Sequence, residues 1–169
     1  MILAAMLLSS CTSKKQETDS AVDSLAVDSL LMMNPGPSLL AYSPVSGFSL
    51  DNKLVFTDSV NYFMFSNQEE LNKKFIIDKS SKVVTPDFLI NYVVAVACAP
   101  TTKLTTIVMD RVETSDSSID VYLTIQRGED QKILTKPGQI FVVEKRNGFS
   151  AMQFFVNGKM DKAFVLGLN

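Results

Sequence analysis

The sequence predicts an α+β fold that is mainly antiparallel β, either a sandwich or a partly open barrel, with one short helix and a disordered tether before it. Three observations lead to this prediction. Short β-prone runs bounded by turn residues recur through the C-terminal part, one capping box marks a helix start, and the N-terminal part is rich in Ser, Thr and Asp. The length of 169 residues suits one domain, and 46% hydrophobic residues can supply its core.

Charge and composition exclude several function classes. The chain has 16 Lys and Arg against 18 Asp and Glu, for a net charge of -2, whereas nucleic-acid binding needs a positive excess on one face. It has no His, which removes Ser-His-Asp triads, Cys-His pairs and His-ligated metals. Mechanisms that use Lys with Ser, or carboxylates alone, are open in principle, but no spacing points to one. We therefore expect a protein that is not an enzyme and uses no metal and no cofactor.

The N-terminus resembles the export and anchoring signal of bacterial lipoproteins. Residues 2–8 form an apolar run of signal-peptide length, too short to span a bilayer, and the sequence Leu-Ser-Ser-Cys follows at residues 8–11. This sequence is similar to the lipobox, whose Cys receives a diacylglycerol and becomes the new N-terminus. The resemblance implies a signal peptide over residues 1–10, lipidation of Cys11, and anchoring to the outer membrane of a bacterial cell envelope. The alternative is that Cys11 is an incidental thiol.

Residues 11–46 are predicted to be a lipidated, disordered tether. Their composition of Ser, Thr, Asp, Lys and Gln, with Pro35, Pro37 and Pro44 near the end, cannot bury enough apolar surface to offset the cost of ordering. A tandem repeat, AVDSL, occupies residues 21–25 and 26–30. We interpret it as linker, and the alternative is a short partner-binding helix. The β-rich globular domain is then expected over residues 47–169.

The domain is predicted to open with two short strands and the helix. Residues 53–57 and 61–65 are the strands, since they are rich in Val, Phe and Tyr. Ser66 is predicted as the N-cap, with Glu69 three residues on in a capping box. Pairs at i,i+4 join Glu69 to Lys73 and Glu70 to Lys74, and Leu71 and Phe75 are expected to dock on the sheet.

A central strand is predicted over residues 91–97. The run NYVVAVA is apolar at both alternating sets of positions, which indicates a strand covered on both faces. Cys98 ends this strand, and we expect it to be buried rather than nucleophilic, because no His can serve as its base.

Two longer strands are predicted next, over residues 104–112 and 118–127, with the turn at residues 114–117. The second alternates apolar and polar side chains, the pattern of a sheet with one solvated face. Asp110, Glu113, Asp116 and Asp120 lie near this turn, but their spacing fits no EF-hand loop. We therefore interpret them as solvated turn and edge charges.

Three strands complete the domain, over residues 139–145, 150–156 and 159–166. The Asn157-Gly158 pair between the last two is a strong signal for a two-residue hairpin turn. The simplest arrangement of these strands is a three-stranded meander.

Residues 62–144 show an order of signals that resembles the C-terminal domain of the PrcB-like protease-complex subunits, which are bacterial lipoproteins. The matching segments are FSNQEEL at residues 65–71, PDF at 86–88, VVAV at 93–96, Pro100-Thr101, Lys136-Pro137 and IFVV at 140–143. The resemblance implies a non-catalytic lipoprotein that binds and stabilises a protein partner such as a secreted protease. Its contact surface is expected at an edge strand or loop cluster over residues 99–104 and 135–139. The candidate partner-binding residues are Pro100, Thr101, Thr102, Lys103, Lys136 and Pro137.

A second class of function is a cell-surface lipoprotein that binds a small ligand or a glycan. Such a site needs aromatic rings on which a sugar can stack, and the candidates are Tyr42, Phe48, Tyr62 and Tyr122. The absence of Trp weighs against this interpretation.

Overall fold

The computed structural model describes residues 37–78 and 83–167. The predicted signal peptide, Cys11, the tandem repeat and the predicted tether up to residue 36 lie outside these ranges. The described residues form ten strands and one helix, and the predicted fold class is confirmed: the sheets are mainly antiparallel and are not closed into a barrel. In chain order the elements are β1 Tyr42–Val45, β2 Phe48–Leu50, β3 Val60–Phe65, α1 Gln68–Asn72, β4 Phe75–Ile77, β5 Asn91–Cys98, β6 Thr101–Ser115, β7 Ser118–Thr135, β8 Gly138–Glu144, β9 Ala151–Val156 and β10 Lys159–Val165.

Two four-stranded sheets form the body of the domain. The central sheet has the order β1-β8-β5-β3, and the outer sheet has the order β10-β9-β7-β6. Buried side chains from both sheets share one core cluster, so the sheets pack face to face as a sandwich. A second cluster joins the other face of the central sheet to α1 and to the two-stranded sheet of β2 and β4. The central sheet is thus the middle of three layers.

The sequence of β5 explains its central position. Val94 and Val96 belong to the core between the two large sheets, whereas Val93, Ala95 and Ala97 belong to the core beneath the helix. All five are completely buried. The predicted strand with two covered faces is confirmed, because apolar residues at both alternating sets of positions exclude a solvated face.

The folded domain begins before residue 47, where the tether was predicted to end. β1 pairs antiparallel with β8, from Tyr42 opposite Val143 to Val45 opposite Ile140. Leu40, just upstream, is only 4% exposed. Backbone pairing to a distant strand orders this stretch, which includes Pro37 and Pro44, and a composition argument cannot detect that pairing.

The predicted strand at residues 53–57 is wrong. The Asp51 side chain accepts the backbone N–H of Lys53 at 2.8 Å, and its carbonyl accepts that of Leu54 at 3.0 Å, so the chain turns there. The edge of this layer is formed instead by β2 and β4, whose pairing brings Leu50 opposite Phe75.

The helix is confirmed, but its cap differs by one residue from the prediction. Asn67 is the N-cap, and its side chain accepts the N–H of Glu70 at 3.0 Å. The Glu70 carboxylate returns to the N–H of Ser66 at 2.9 Å and does not pair with Lys74. The Glu69–Lys73 pair is present at 2.8 Å. The helix ends at Asn72, so Phe75 is buried from β4 rather than from the helix.

The predicted three-stranded meander is wrong, although its three strands exist. β8 lies in the central sheet between β1 and β5, whereas β9 and β10 lie in the outer sheet. β9 pairs with β7 in parallel and with β10 in antiparallel orientation. The predicted β9–β10 hairpin is confirmed, and its turn residues Asn157 and Gly158 have φ of 49° and 81°.

Candidate interaction site

The two segments predicted to form a contact surface meet in the structure. β5 continues into β6, and β7 continues into β8. Because β5 pairs with β8 and β6 pairs with β7, the two pairs form one long antiparallel ladder, which bends where it passes from one sheet to the other. At the bend the N–H of Cys98 donates to the carbonyl of Pro137 at 2.8 Å. Beyond it Thr101 lies opposite Thr135, whose hydroxyl donates to the Thr101 carbonyl at 3.3 Å. All six candidate residues therefore lie at or next to one bend.

Lys136 and Pro137 are committed to the fold at this bend. The Lys136 ammonium donates to the Asn52 carbonyl at 2.6 Å and lies 6.0 Å from the centre of the Phe56 ring. Pro137 accepts the Cys98 bond, and both residues are only partly exposed. Their contacts pin the turn at residues 51–56 to the start of β8. Thr102 and Lys103, near the start of β6, are exposed.

Beyond the bend, β6 and β7 extend as a two-stranded ribbon outside the outer sheet. β9 pairs with β7 only from Ser118 to Leu123, and the Asn157 side chain adds bonds to the backbone of Ile125. Further along, β7 has β6 as its only described neighbour. We call residues 101–107 of β6 and 125–135 of β7 the free ribbon. The sequence predicts only part of the free ribbon, since it ends the second long strand at residue 127, whereas β7 continues to Thr135.

The free ribbon presents large apolar side chains to solvent. Leu104 is 53% exposed, Ile133 is 71% exposed and Leu134 is 65% exposed. None of these three side chains belongs to a described core cluster, whereas Ile107 and Ile125, where the ribbon leaves the outer sheet, pack against the core between the two sheets. Ile133 and Leu134 were missed by the sequence analysis, although an apolar pair directly after the charged run EDQK was a signal for them.

The outer edge of β6 is covered at one end only. Near Ser115 the chain's own residues lie along it: Leu40 donates to the Val112 carbonyl at 2.9 Å, and Thr114 donates to the Ser38 carbonyl at 2.8 Å. The Tyr42 hydroxyl reaches the Met109 and Asp110 carbonyls at 3.0 and 2.9 Å. No described strand pairs with this edge over residues 101–108.

The irregularities of the ribbon lie on β7 and leave the β6 edge regular. Thr101, Lys103 and Thr105 pair with Thr135, Asp130 and Arg127, so the extra residues are all on β7. Bulges usually blunt an edge by twisting it away from a new neighbour. Here the bulged strand is the inner partner, and the open edge carries one charge, Lys103, and no Pro over residues 101–108. Such an edge can accept an added strand.

Cys98 offers no chemistry at the bend. It is 1% exposed, and burial raises the pKa of its thiol, while the positive charge of Arg127 opposes part of that rise. A neutral, enclosed thiol is neither a good nucleophile nor a metal ligand. Among the described residues there is also no group of three or more Cys, Asp or Glu side chains that could hold a metal ion.

The four aromatic side chains of the glycan hypothesis do not share one surface. Tyr42 and Tyr62 lie on opposite edge strands of the central sheet, and Phe48 packs against the core beneath the helix. Tyr122 lies on the outer sheet, with the Arg111 guanidinium 3.6 Å from its ring centre on β6 and the Phe155 ring stacked 4.8 Å away on β9. Since Tyr122 lies between these two neighbours, its ring faces are already in use and no sugar can stack there.

Comparison with known proteins gives no relative for this chain: no family model, curated protein or solved structure matches it. The resemblances to bacterial lipoproteins and to the PrcB-like family therefore stay predictions. In the described ranges, no helix is long and apolar enough to cross a membrane.

Proposed function

We propose that this chain is a non-catalytic lipoprotein of the bacterial cell envelope, anchored to the outer membrane through lipid at Cys11, which binds and stabilises a protein partner such as a secreted protease. The observation that carries the binding part is the free ribbon. It combines an uncovered strand edge with exposed Leu104, Ile133 and Leu134, none of which belongs to either core cluster.

Covering the ribbon would make two favourable contributions to the binding free energy. Full burial of one Leu or Ile side chain contributes about 1.5–3 kcal/mol, and each backbone hydrogen bond to an added strand contributes roughly 0.5–1.5 kcal/mol. A partner that contacts Leu104, Ile133 and the β6 edge together would use both terms. The exposed Thr102 and Lys103 from the predicted set lie on the same segment and would form the polar rim.

Composition supports a binding role over a catalytic one. The chain has no His, and its described thiol, Cys98, is buried with a raised pKa. A hydroxyl on the ribbon, such as that of Thr105, donates to the backbone of its own strand and has no activating base beside it.

Lipid anchoring is tested by labelling. Cells that express the full chain are fed a palmitate analogue, and the labelled chain is compared with its Cys11→Ser variant. We expect label on the parent chain and none on the variant. Label that persists on Cys11→Ser would exclude Cys11 as the anchor.

Partner binding is tested by crosslinking in native membranes followed by purification of the full chain. We expect one protein partner in stoichiometric yield, strongly reduced by Ile133→Asp on the ribbon. Ile77→Asp is the matched control, since Ile77 is 52% exposed on β4, in the separate two-stranded sheet. Recovery of a bound glycan and no protein would favour the second class of function.

A further inference from the structure

The described domain has two distinct ends. The strands of the sandwich bring residues 38–42, 88–91, 144–151 and 165–167 to one end, as shown by the pairing of Asn91 with Glu144 and of Val165 with Ala151. The same ladders place the bend and the free ribbon at the opposite end. The described chain starts at the first end, where the Arg146 guanidinium donates to the Ser38 hydroxyl at 3.3 Å.

The first end carries the two most exposed large apolar side chains of the described residues. Val165 is 89% exposed and Leu89 is 87% exposed, and both line one cleft of about 580 Å³. Ile90, next to Leu89, is 64% exposed, and Leu39, at the start of the described chain, is 71% exposed. We call Leu89, Ile90 and Val165 the apolar rim.

The turn that presents Leu89 and Ile90 is fixed in place. The Asp87 side chain accepts the N–H of Leu89 at 2.8 Å, and the Asp87 carbonyl accepts that of Asn91 at 3.1 Å. Lys145 ties the turn to β8: its ammonium donates to the Phe88 carbonyl at 2.6 Å, and its backbone N–H donates to the Ile90 carbonyl at 3.0 Å. Hydrogen bonds therefore fix the backbone that carries Leu89 and Ile90, so this part of the rim needs little backbone ordering on contact.

Charges of both signs lie beside the rim, and the two that line the cleft itself are positive. Lys145 and Arg146 line the same cleft, and none of the described residues that line it is acidic. Acidic side chains lie close by as well: Asp87 bonds the Leu89 backbone, Glu144 pairs with Arg146 at 3.5 Å, and Asp116 lines the neighbouring cleft together with Arg146. Exposed apolar side chains next to Lys and Arg are the chemistry of an interfacial membrane contact.

We propose that this end of the domain is a membrane-contact surface, where Leu89, Ile90 and Val165 enter the phospholipid interface and Lys145 and Arg146 meet its phosphate groups. This membrane contact rests on the proposed anchor at Cys11, because the described residues begin at this end, where Ser38 lies beside Arg146. A lipid surface fits better than a small ligand, since Leu89, Ile90 and Val165 are mostly exposed to solvent even though Leu89 and Val165 also line the cleft. The contact leaves the free ribbon at the far end open to a protein partner.

The absence of Trp from the chain allows a direct test with single indole reporters. Leu89→Trp places a reporter in the rim, and Ile133→Trp places one at a matched exposed site on the ribbon. The full chain with each change is coupled through Cys11 to a maleimide lipid in vesicles of phosphatidylcholine with phosphatidylglycerol. Because the coupling is chemical, the result does not depend on whether cells lipidate Cys11.

We expect the Leu89→Trp indole to shift its emission to the blue and to be quenched by lipids brominated on their acyl chains, at least about threefold more than the Ile133→Trp indole. Replacing phosphatidylglycerol by phosphatidylcholine should weaken the effect by about fivefold per cationic side chain that meets a phosphate.

Three results would overturn the proposal. One is equal, solution-like emission from both reporters, and another is stronger quenching on the ribbon. The third is a Leu89→Trp blue shift that depends on protein concentration without vesicles, which would assign the rim to a second copy of the chain. If palmitate labelling failed while the Leu89→Trp indole behaved as expected in vesicles, the anchor would be rejected and the membrane contact would stand.

Discussion

Gly138, at the start of β8, is a position where one missing side chain allows two layers to meet. A Cβ atom built there would lie 2.6 Å from Cδ1 and 2.8 Å from Cγ of Leu50. Leu50 is itself only 8% exposed on β2, within the core beneath the helix, so it has little room to move. The glycine therefore allows the small β2–β4 sheet to approach the bend.

We predict that Gly138→Ala lowers the free energy of unfolding by about 1–3 kcal/mol, because the added methyl overpacks Leu50. Urea unfolding of the purified domain measures this. Gly128→Ala on the free ribbon is the control, since its nearest neighbour would be Leu104 at an ordinary 3.6 Å; its effect should stay within about 0.5 kcal/mol. Equal losses for the two variants would contradict the described packing of Leu50.

Cys98 gives a second prediction at the residue scale. Burial raises the pKa of its thiol and closes access to it, so in the Cys11→Ser chain it should react with a disulfide reagent at least about a hundredfold more slowly in the folded than in the urea-unfolded state. The measurement is the rate of thiol release by absorbance at neutral pH. Similar rates in both states would mean that the end of β5 is open. The burial itself was predictable, because Cys98 directly follows an unbroken apolar run.

At the scale of elements, the helix start tests the difference between the sequence pattern and the structure. We predict that Asn67→Ala lowers the free energy of unfolding by about 1 kcal/mol, through loss of the side-chain bond to the Glu70 N–H. Ser66→Ala should have almost no effect, because the bond to Glu70 uses the Ser66 backbone N–H. Thermal or urea unfolding distinguishes the two. The reverse order of effects would restore Ser66 as the cap.

Elements that are determined by their own local sequence were predictable, and elements that depend on pairing with a distant part of the chain were not. β5 follows from its two-sided apolar pattern, and the β9–β10 hairpin follows from Asn157-Gly158. β1 could not be found, because its order comes from pairing with β8 about a hundred residues away in sequence. The meander was wrong for the same reason, since β8 finds its partner in β5. The free ribbon was cut short because a strand without a buried face shows no alternation.

At the scale of the whole molecule, one long bent ladder of paired strands positions the other described elements. β5 with β8 and β6 with β7 link the two sheets, and the bend separates the end where the described chain starts from the end that carries the free ribbon. The sequence predicts that segments 99–104 and 135–139 share one surface, and the structure brings them together. It did not predict that the exposed apolar side chains lie beyond them, because the ribbon's length depends on where β9 stops pairing with β7.

The central claim is that the protein partner binds at the free ribbon, and site-specific photocrosslinking in living cells tests it most directly. A photoreactive phenylalanine replaces Gln131 on the ribbon in one chain and Asn147 at the opposite end in another; both positions are exposed. We predict one discrete protein adduct from position 131, lost on adding Ile133→Asp, and no protein adduct from position 147. The claim would be contradicted by a protein adduct from position 147 alone, or by the lack of a protein adduct from both positions.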